Sequence, residues 1–130
     1  MMKLDVQGVA IEFLTPPDEE PCVMRGSMPP GAVVPLHTHA DPETFVILSG
    51  EAEGFRDPDW VRVRAGDVFN VPGDRKHGWR NVGSVPAEMI VVTTAKIAQF
   101  FREVADATPE EFLAISERYG YWNDPEPLSP

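Results

Sequence analysis

Residues 31–50 read GAVVPLHTHADPETFVILSG and residues 66–81 read GDVFNVPGDRKHGWRN; together they hold all three histidines of the chain. His37 and His39 stand two apart, Glu43 follows four later, and His77 lies beyond two expected hairpins. Imidazole is the commonest protein ligand for first-row metals, so three of them with one carboxylate make a plausible coordination set. Both stretches are dense in β-branched residues, Gly and Pro, which places the set on strands and turns. Strand side chains alternate between faces, so His37 and His39 point the same way. Glu43 has the same parity and joins them where the Ala40-Asp41-Pro42 link preserves the facing; Pro42 predicts a bulge or bend there. His77 is too distant for local geometry. It needs a fold that returns a later strand beside the first, as β-barrels and jelly rolls do.

Outward from these stretches, strands are expected at residues 9–14, 22–27, 33–39, 44–48, 51–55, 60–64, 68–71, 77–80 and 88–93. Breakers separate them: Thr15-Pro16-Pro17-Asp18, Met28-Pro29-Pro30-Gly31, Arg56-Asp57-Pro58-Asp59, Ala65-Gly66-Asp67 and Asn81-Val82-Gly83-Ser84. Pro72-Gly73 suits the central positions of a type II turn, with Gly supplying the positive φ. Many short strands at nearly even spacing indicate a sandwich or barrel. After about residue 95 the pattern becomes helical: Ile97, Phe100, Phe101 and Val104 share one helix face. Thr108-Pro109-Glu110-Glu111 is a capping box with proline at the first helical position, and Gly120 is the expected stop. Phe112, Ile115 and Tyr119 share the inward face of this second helix, flanked by Leu113 and Ser116. One domain is expected, with a β-barrel at 1–95, a helical extension at 96–120 and a Pro-rich tail without a packing signal at 121–130.

The residues then carry a resemblance. Gly31, His37, His39, Glu43 and Gly50 match the first cupin motif at every spacing, and Gly66, Pro72, His77 and Asn81 match the second. One place departs: the family usually has Gly two after the proline, where this chain has Asp74, a residue that tolerates the left-handed region. The chain is thus identified as similar to small single-domain cupins, and Gln99-Phe100-Phe101-Arg102-Glu103 resembles the tail of bacterial quercetin 2,3-dioxygenase-like members. The resemblance implies an all-β fold, the cupin double-stranded β-helix or jelly-roll barrel, extended by two short C-terminal α-helices. It also implies one divalent transition metal (Fe, Mn, Ni, Co, Cu or Zn) held by His37, His39, Glu43 and His77, and a homodimer. A cupin that has lost its metal, with satisfied core histidines, is the alternative.

A divalent ion beside one carboxylate keeps a net positive charge of about one and leaves positions free for water, oxygen or substrate. Such a site favours an enolate, phenolate or carboxylate, and Glu43 is also a candidate base. By parity Phe45 and Ile47 share the face of Glu43, Trp79 that of His77, and Met89 and Val91 are candidates on the last strand. They line a substrate pocket, or else fill the barrel; Arg25 is a candidate anion binder, or else a surface charge. The leading expectation is a dioxygenase acting on an enolisable or phenolic small molecule. The alternatives are a non-oxidative isomerase, cyclase, decarboxylase or lyase, and a small-molecule-binding module.

Bulk properties narrow the classes further. A net charge of -10 argues against nucleic acid and against anionic membranes as partners. Cys22 is the only cysteine, so no internal disulfide forms, and a small buried hydrophobe is its expected role. The early charge in Met1-Met2-Lys3-Leu4-Asp5 does not fit a signal peptide, and no apolar run spans a bilayer, so a cytoplasmic protein is expected.

Overall fold

The structure, a computed structural model, describes residues 2–126. Its strands are β1 (Lys3–Val6), β2 (Val9–Phe13), β3 (Cys22–Met28), β4 (Val33–Thr38), β5 (Glu43–Ser49), β6 (Glu51–Arg56), β7 (Asp59–Arg64), β8 (Val68–Val71), β9 (His77–Arg80), β10 (Ala87–Thr93) and β11 (Trp122–Asn123); helices α1 (Ala95–Val104) and α2 (Pro109–Tyr119) precede the last strand. One sheet has six strands in the order β1-β2-β3-β10-β5-β8, the other five in the order β11-β4-β9-β6-β7. The pairings are antiparallel throughout. Two antiparallel sheets in these orders make the jelly roll, the double-stranded β-helix expected from the sequence.

Alternation builds the inner faces. In β3, Cys22, Met24, Gly26 and Met28 are buried; in β10, Ala87, Met89, Val91 and Thr93; in β5, Glu43, Phe45 and Ile47. Two half-buried sheet faces with this period stack into a sandwich and leave the intervening residues outside. That alternation corrects one expectation: Arg25 points outward and pairs with Glu88 at 2.8 Å, so it does not reach the interior.

The helices follow local signals. Thr94 caps α1 by accepting from Ile97 N, and Thr108 with Glu111 forms the complete capping box of α2. Gly120 ends α2 in the left-handed conformation, φ 77°. Glu103 on α1 accepts from the Tyr119 hydroxyl and from Arg118 Nη2, tying α2 to α1. Leu113 is more than half exposed while Ser116 is fully buried, which sharpens the expected inward face of α2. Among the described residues, no helix is long and apolar enough to cross a membrane.

The segment after Gly120 departs from expectation. Instead of a loose tail, Tyr121 is buried and Trp122–Asn123 pairs with β4. Asp124 N continues the pairing by donating to Leu36 O at 2.8 Å. Two residues of strand carry too little periodicity to be read, and the surrounding prolines hid them. Residues 127–130 of the expected tail lie outside the described residues.

Candidate metal centre

The four ligand candidates arrive from three strands and one link. His37 is the penultimate residue of β4, His77 opens β9, Glu43 opens β5 in the opposite sheet, and His39 sits on the link between β4 and β5. A bulge sets His37. Val34 faces Trp79 and His37 faces His77 across the β4–β9 pair, so three steps on β4 match two on β9. Without the extra residue Val34 and His37 would point to opposite faces; with it, both line the same cavity. The bulge thus falls at Pro35-Leu36, while Pro42 serves the crossing between sheets, its carbonyl fixed by Thr93 Oγ1 at 2.9 Å.

The expected turn at Pro72-Gly73 is displaced by one residue. Arg75 N bonds Pro72 O, and the positive φ of 64° falls on Asp74. Gly73 is needed for another reason: a Cβ there would lie 2.4 Å from Ala40 O. Asp74 N also donates to His39 O at 2.8 Å, so this turn presses directly on the link carrying His39.

Every imidazole is braced by a backbone carbonyl: His37 Nδ1 to Pro35 O at 2.7 Å, His39 Nδ1 to Asp41 O at 2.8 Å, His77 Nδ1 to Arg75 O at 2.8 Å. A carbonyl only accepts, so each Nδ1 carries the proton and each Nε2 is left to bind. Glu43 Oε1 lies 2.9 Å from His39 Nε2 and 3.3 Å from His77 Nε2. The ligand atoms of His37, His39, Glu43 and His77 all fall within 4.8 Å of one another.

Lone pairs converging on a carboxylate require a cation among them, either a proton or a metal ion. Burial opposes charging His39, but the hydrogen bond and charge of Glu43 outweigh it and raise its pKa. Burial likewise pushes Glu43 up, yet contacts from His39 and His77 hold it well below the usual carboxylate range. His37 is lowered to about 3 by desolvation, then by the neighbouring His77, and stays neutral. Neutral imidazole nitrogens and one ionised carboxylate, each ring braced from behind, are the donor set a divalent transition metal takes.

These donors form the polar end of a cavity of about 290 Å3. Phe45, Trp79, Met89 and Val91 line it, as the strand parity predicts. Ile47 does not. It has the expected facing but lies farther along β5, opposite Met89, and is sealed in the core. Sequence reasoning missed Ile97 and Phe100 from α1, Phe112 from α2, and Tyr121, all lining residues. The helical period of α1 supplied a signal for the first two, but nothing local says which end of the barrel a helix covers. No lysine or arginine lines the cavity among the described residues.

The chain belongs to the cupin family: residues 24–93, more than half of it, match the Cupin domain family model. No curated protein gives a match. Among solved structures it resembles a predicted oxalate decarboxylase from Thermotoga maritima, with 25% identity and a TM-score of 0.63 over 72% of this chain and 90% of that one. It also resembles the cupin domain of an XRE family transcriptional regulator from Enterobacter cloacae, with 26% identity and a TM-score of 0.60 over 68% and 97% of the two chains. DMSP lyase DddQ from Ruegeria pomeroyi is 28% identical with a TM-score of 0.52; the match spans 56% of this chain and 37% of the lyase.

Proposed function

We propose that this protein is a metal-dependent enzyme whose substrate is a small, largely apolar molecule presenting one anionic oxygen, an enolate or a phenolate, and whose reaction is dioxygenation. One observation carries the reading: a braced three-histidine, one-carboxylate set closes the end of a cavity walled by Phe45, Trp79, Met89, Val91 and Phe100. His37, His39, Glu43 and His77 are the residues to hold the ion, and Fe, Mn, Ni, Co, Cu and Zn all suit them. Bound there, a redox-active metal supplies Lewis acidity and electron exchange with O2.

The chain's own residues do the rest. The aromatic walls take the substrate's apolar body and exclude water, which strengthens every charge interaction at the floor. Glu43 is ionised and lines the cavity floor, so on this reading it also accepts the proton of an acidic O–H or C–H of the substrate. A lining without lysine or arginine among the described residues gives no second cationic anchor for a dicarboxylate. The volume is at the low end for small-molecule sites, which favours one or two rings over larger substrates. The homodimer and cytoplasmic setting are part of the same proposal, to be checked by light scattering and by cell fractionation.

The test begins with elemental analysis of protein purified without added metal. O2 uptake is then followed with Fe-, Mn-, Ni- or Co-loaded protein and a panel running from monocyclic enols and phenols to flavonols. Uptake that matches substrate loss supports dioxygenation, and none across the panel rejects it. A non-oxidative reading is favoured by two of the structural neighbours, a predicted oxalate decarboxylase and a DMSP lyase. Turnover without oxygen, or zinc bound as purified, would select it. Tight ligand binding without turnover would select the small-molecule-binding alternative.

A further inference from the structure

Buried behind the metal ligands is a carboxylate that the reaction does not use. Asp41 is nearly inaccessible, and its backbone carbonyl is the group that braces His39. Its side chain is held from two sides: Tyr121 Oη donates to Oδ2 at 3.1 Å and Thr94 Oγ1 donates to Oδ1 at 2.7 Å. The Tyr121 ring also packs on His39, with centroids 5.3 Å apart. Tyr121 lies well outside residues 24–93, the part that matches the cupin family model.

The segment carrying Tyr121 touches the ligand-bearing strands at two further points. Asn123 sits opposite His37 in the β11–β4 pair, so β11 closes the open edge of the strand that carries this ligand. Trp122 lies under the Lys76 ammonium, 5.1 Å from ring centroid to Nζ, and Lys76 directly precedes His77. Residues 121–123 therefore meet the chain beside each of the three histidines.

We infer that Tyr121, acting through Asp41, is a positioning residue of the metal centre, and that the C-terminal strand is a working part of that centre rather than an appendage. The physical link is short. The Tyr121 and Thr94 hydroxyls fix the Asp41 side chain, this fixes the Asp41 peptide, and the carbonyl of that peptide sets the tautomer and ring angle of His39. Removing the Tyr121 hydroxyl leaves a buried carboxylate oxygen without its donor, and the peptide turns to recover one. His39 then loses its brace although no ligand has been changed. The inference rests on the four-residue set binding a metal.

The test uses the whole chain and Co2+ as probe, read by titration calorimetry and by the visible ligand-field bands of the bound ion. Tyr121→Phe keeps the ring and removes the hydroxyl; Asp41→Asn weakens the same link from the other partner. Both are expected to lower Co2+ affinity about tenfold, the lower end for partners behind a ligand, and to shift the bands. The double variant should lose little more than either single one, since both break the same link. Tyr119→Phe is the control, because it removes a tyrosine–carboxylate bond between the helices away from the metal. Wild-type affinity and bands in Tyr121→Phe overturn the inference, as do equal losses in Tyr121→Phe and Tyr119→Phe. Should Tyr121→Phe fail to fold, Asp41→Asn alone decides on the same readouts. A wild-type chain that takes up no Co2+ overturns the metal centre itself and this inference with it; normal wild-type uptake with unaltered variants overturns only the positioning role.

Discussion

His39 Nε2 and Glu43 Oε1 stand 2.9 Å apart in an almost sealed space, so a cation must occupy the region between and around them. Without metal that cation is a proton on His39, whose pKa is raised by Glu43. The sign follows directly. The stabilising contribution of a raised histidine is complete below its ordinary value of 6.5 and is lost as pH rises through the raised one. Metal uptake at pH 6 should therefore release about one proton, and the number should fall toward zero as pH rises through the raised value. Calorimetry in buffers of different ionisation enthalpy measures this. Glu43→Gln should abolish the difference, because burial then prevails over His39.

Removing a ligand should be far more damaging than removing a neighbour. His77→Ala and His37→Ala are expected to lower metal affinity by at least about 100-fold, beyond the range typical of partners behind a ligand. In the wild type, metal at 100 times its Kd should add about 2.7 kcal/mol of stability, or roughly 10 °C in Tm. A chelator should reverse this shift. Calorimetric melts with and without metal check both statements.

Gly73 and Asp74 should respond very unequally to substitution. Gly73→Ala drives a Cβ against the backbone oxygen of Ala40, which cannot swing aside, and should cost about 2 kcal/mol or more while weakening metal binding through His39. Asp74→Gly merely exchanges one left-handed residue for a freer one and should change stability by less than about 1 kcal/mol. Chemical denaturation of the two variants tests the contrast.

Cavity and surface should also separate. Val91→Trp fills the space beside the metal centre, so it should block ligand binding while leaving metal uptake intact. Arg25→Ala breaks only an exposed ion pair with Glu88 and should change stability by no more than about 1 kcal/mol, with ligand binding untouched. Ligand titrations of metal-loaded variants distinguish the two.

What could be read in the chain beforehand follows from how local each signal is. Strand parity put His37, His39 and Glu43 on one face, and the match to the second cupin motif added His77, which no local geometry could have joined to them. The outward facing of Arg25 was also present in the pattern Cys22-x-Met24-x-Gly26-x-Met28, whose alternation leaves Arg25 outside. Ile47 shows the limit of parity: facing is set by period, but depth along the barrel is set by the whole fold. The displaced turn at Asp74 depended on a backbone approach from Ala40 that no local rule contains. Tyr121 was hidden more deeply, since its burial comes from an interaction with Asp41, eighty residues earlier.

The division of the ligands between layers has a mechanical consequence. His37 and His77 ride on the five-stranded sheet, Glu43 on the six-stranded one, and the cavity occupies the space between. An ion held by all of them would act as a rivet through the sandwich, and its radius and preferred bond lengths would set how wide the gap stands. Exchanging one metal for another would thereby retune the fit of whatever molecule enters, even where the electronic character of the two ions is alike.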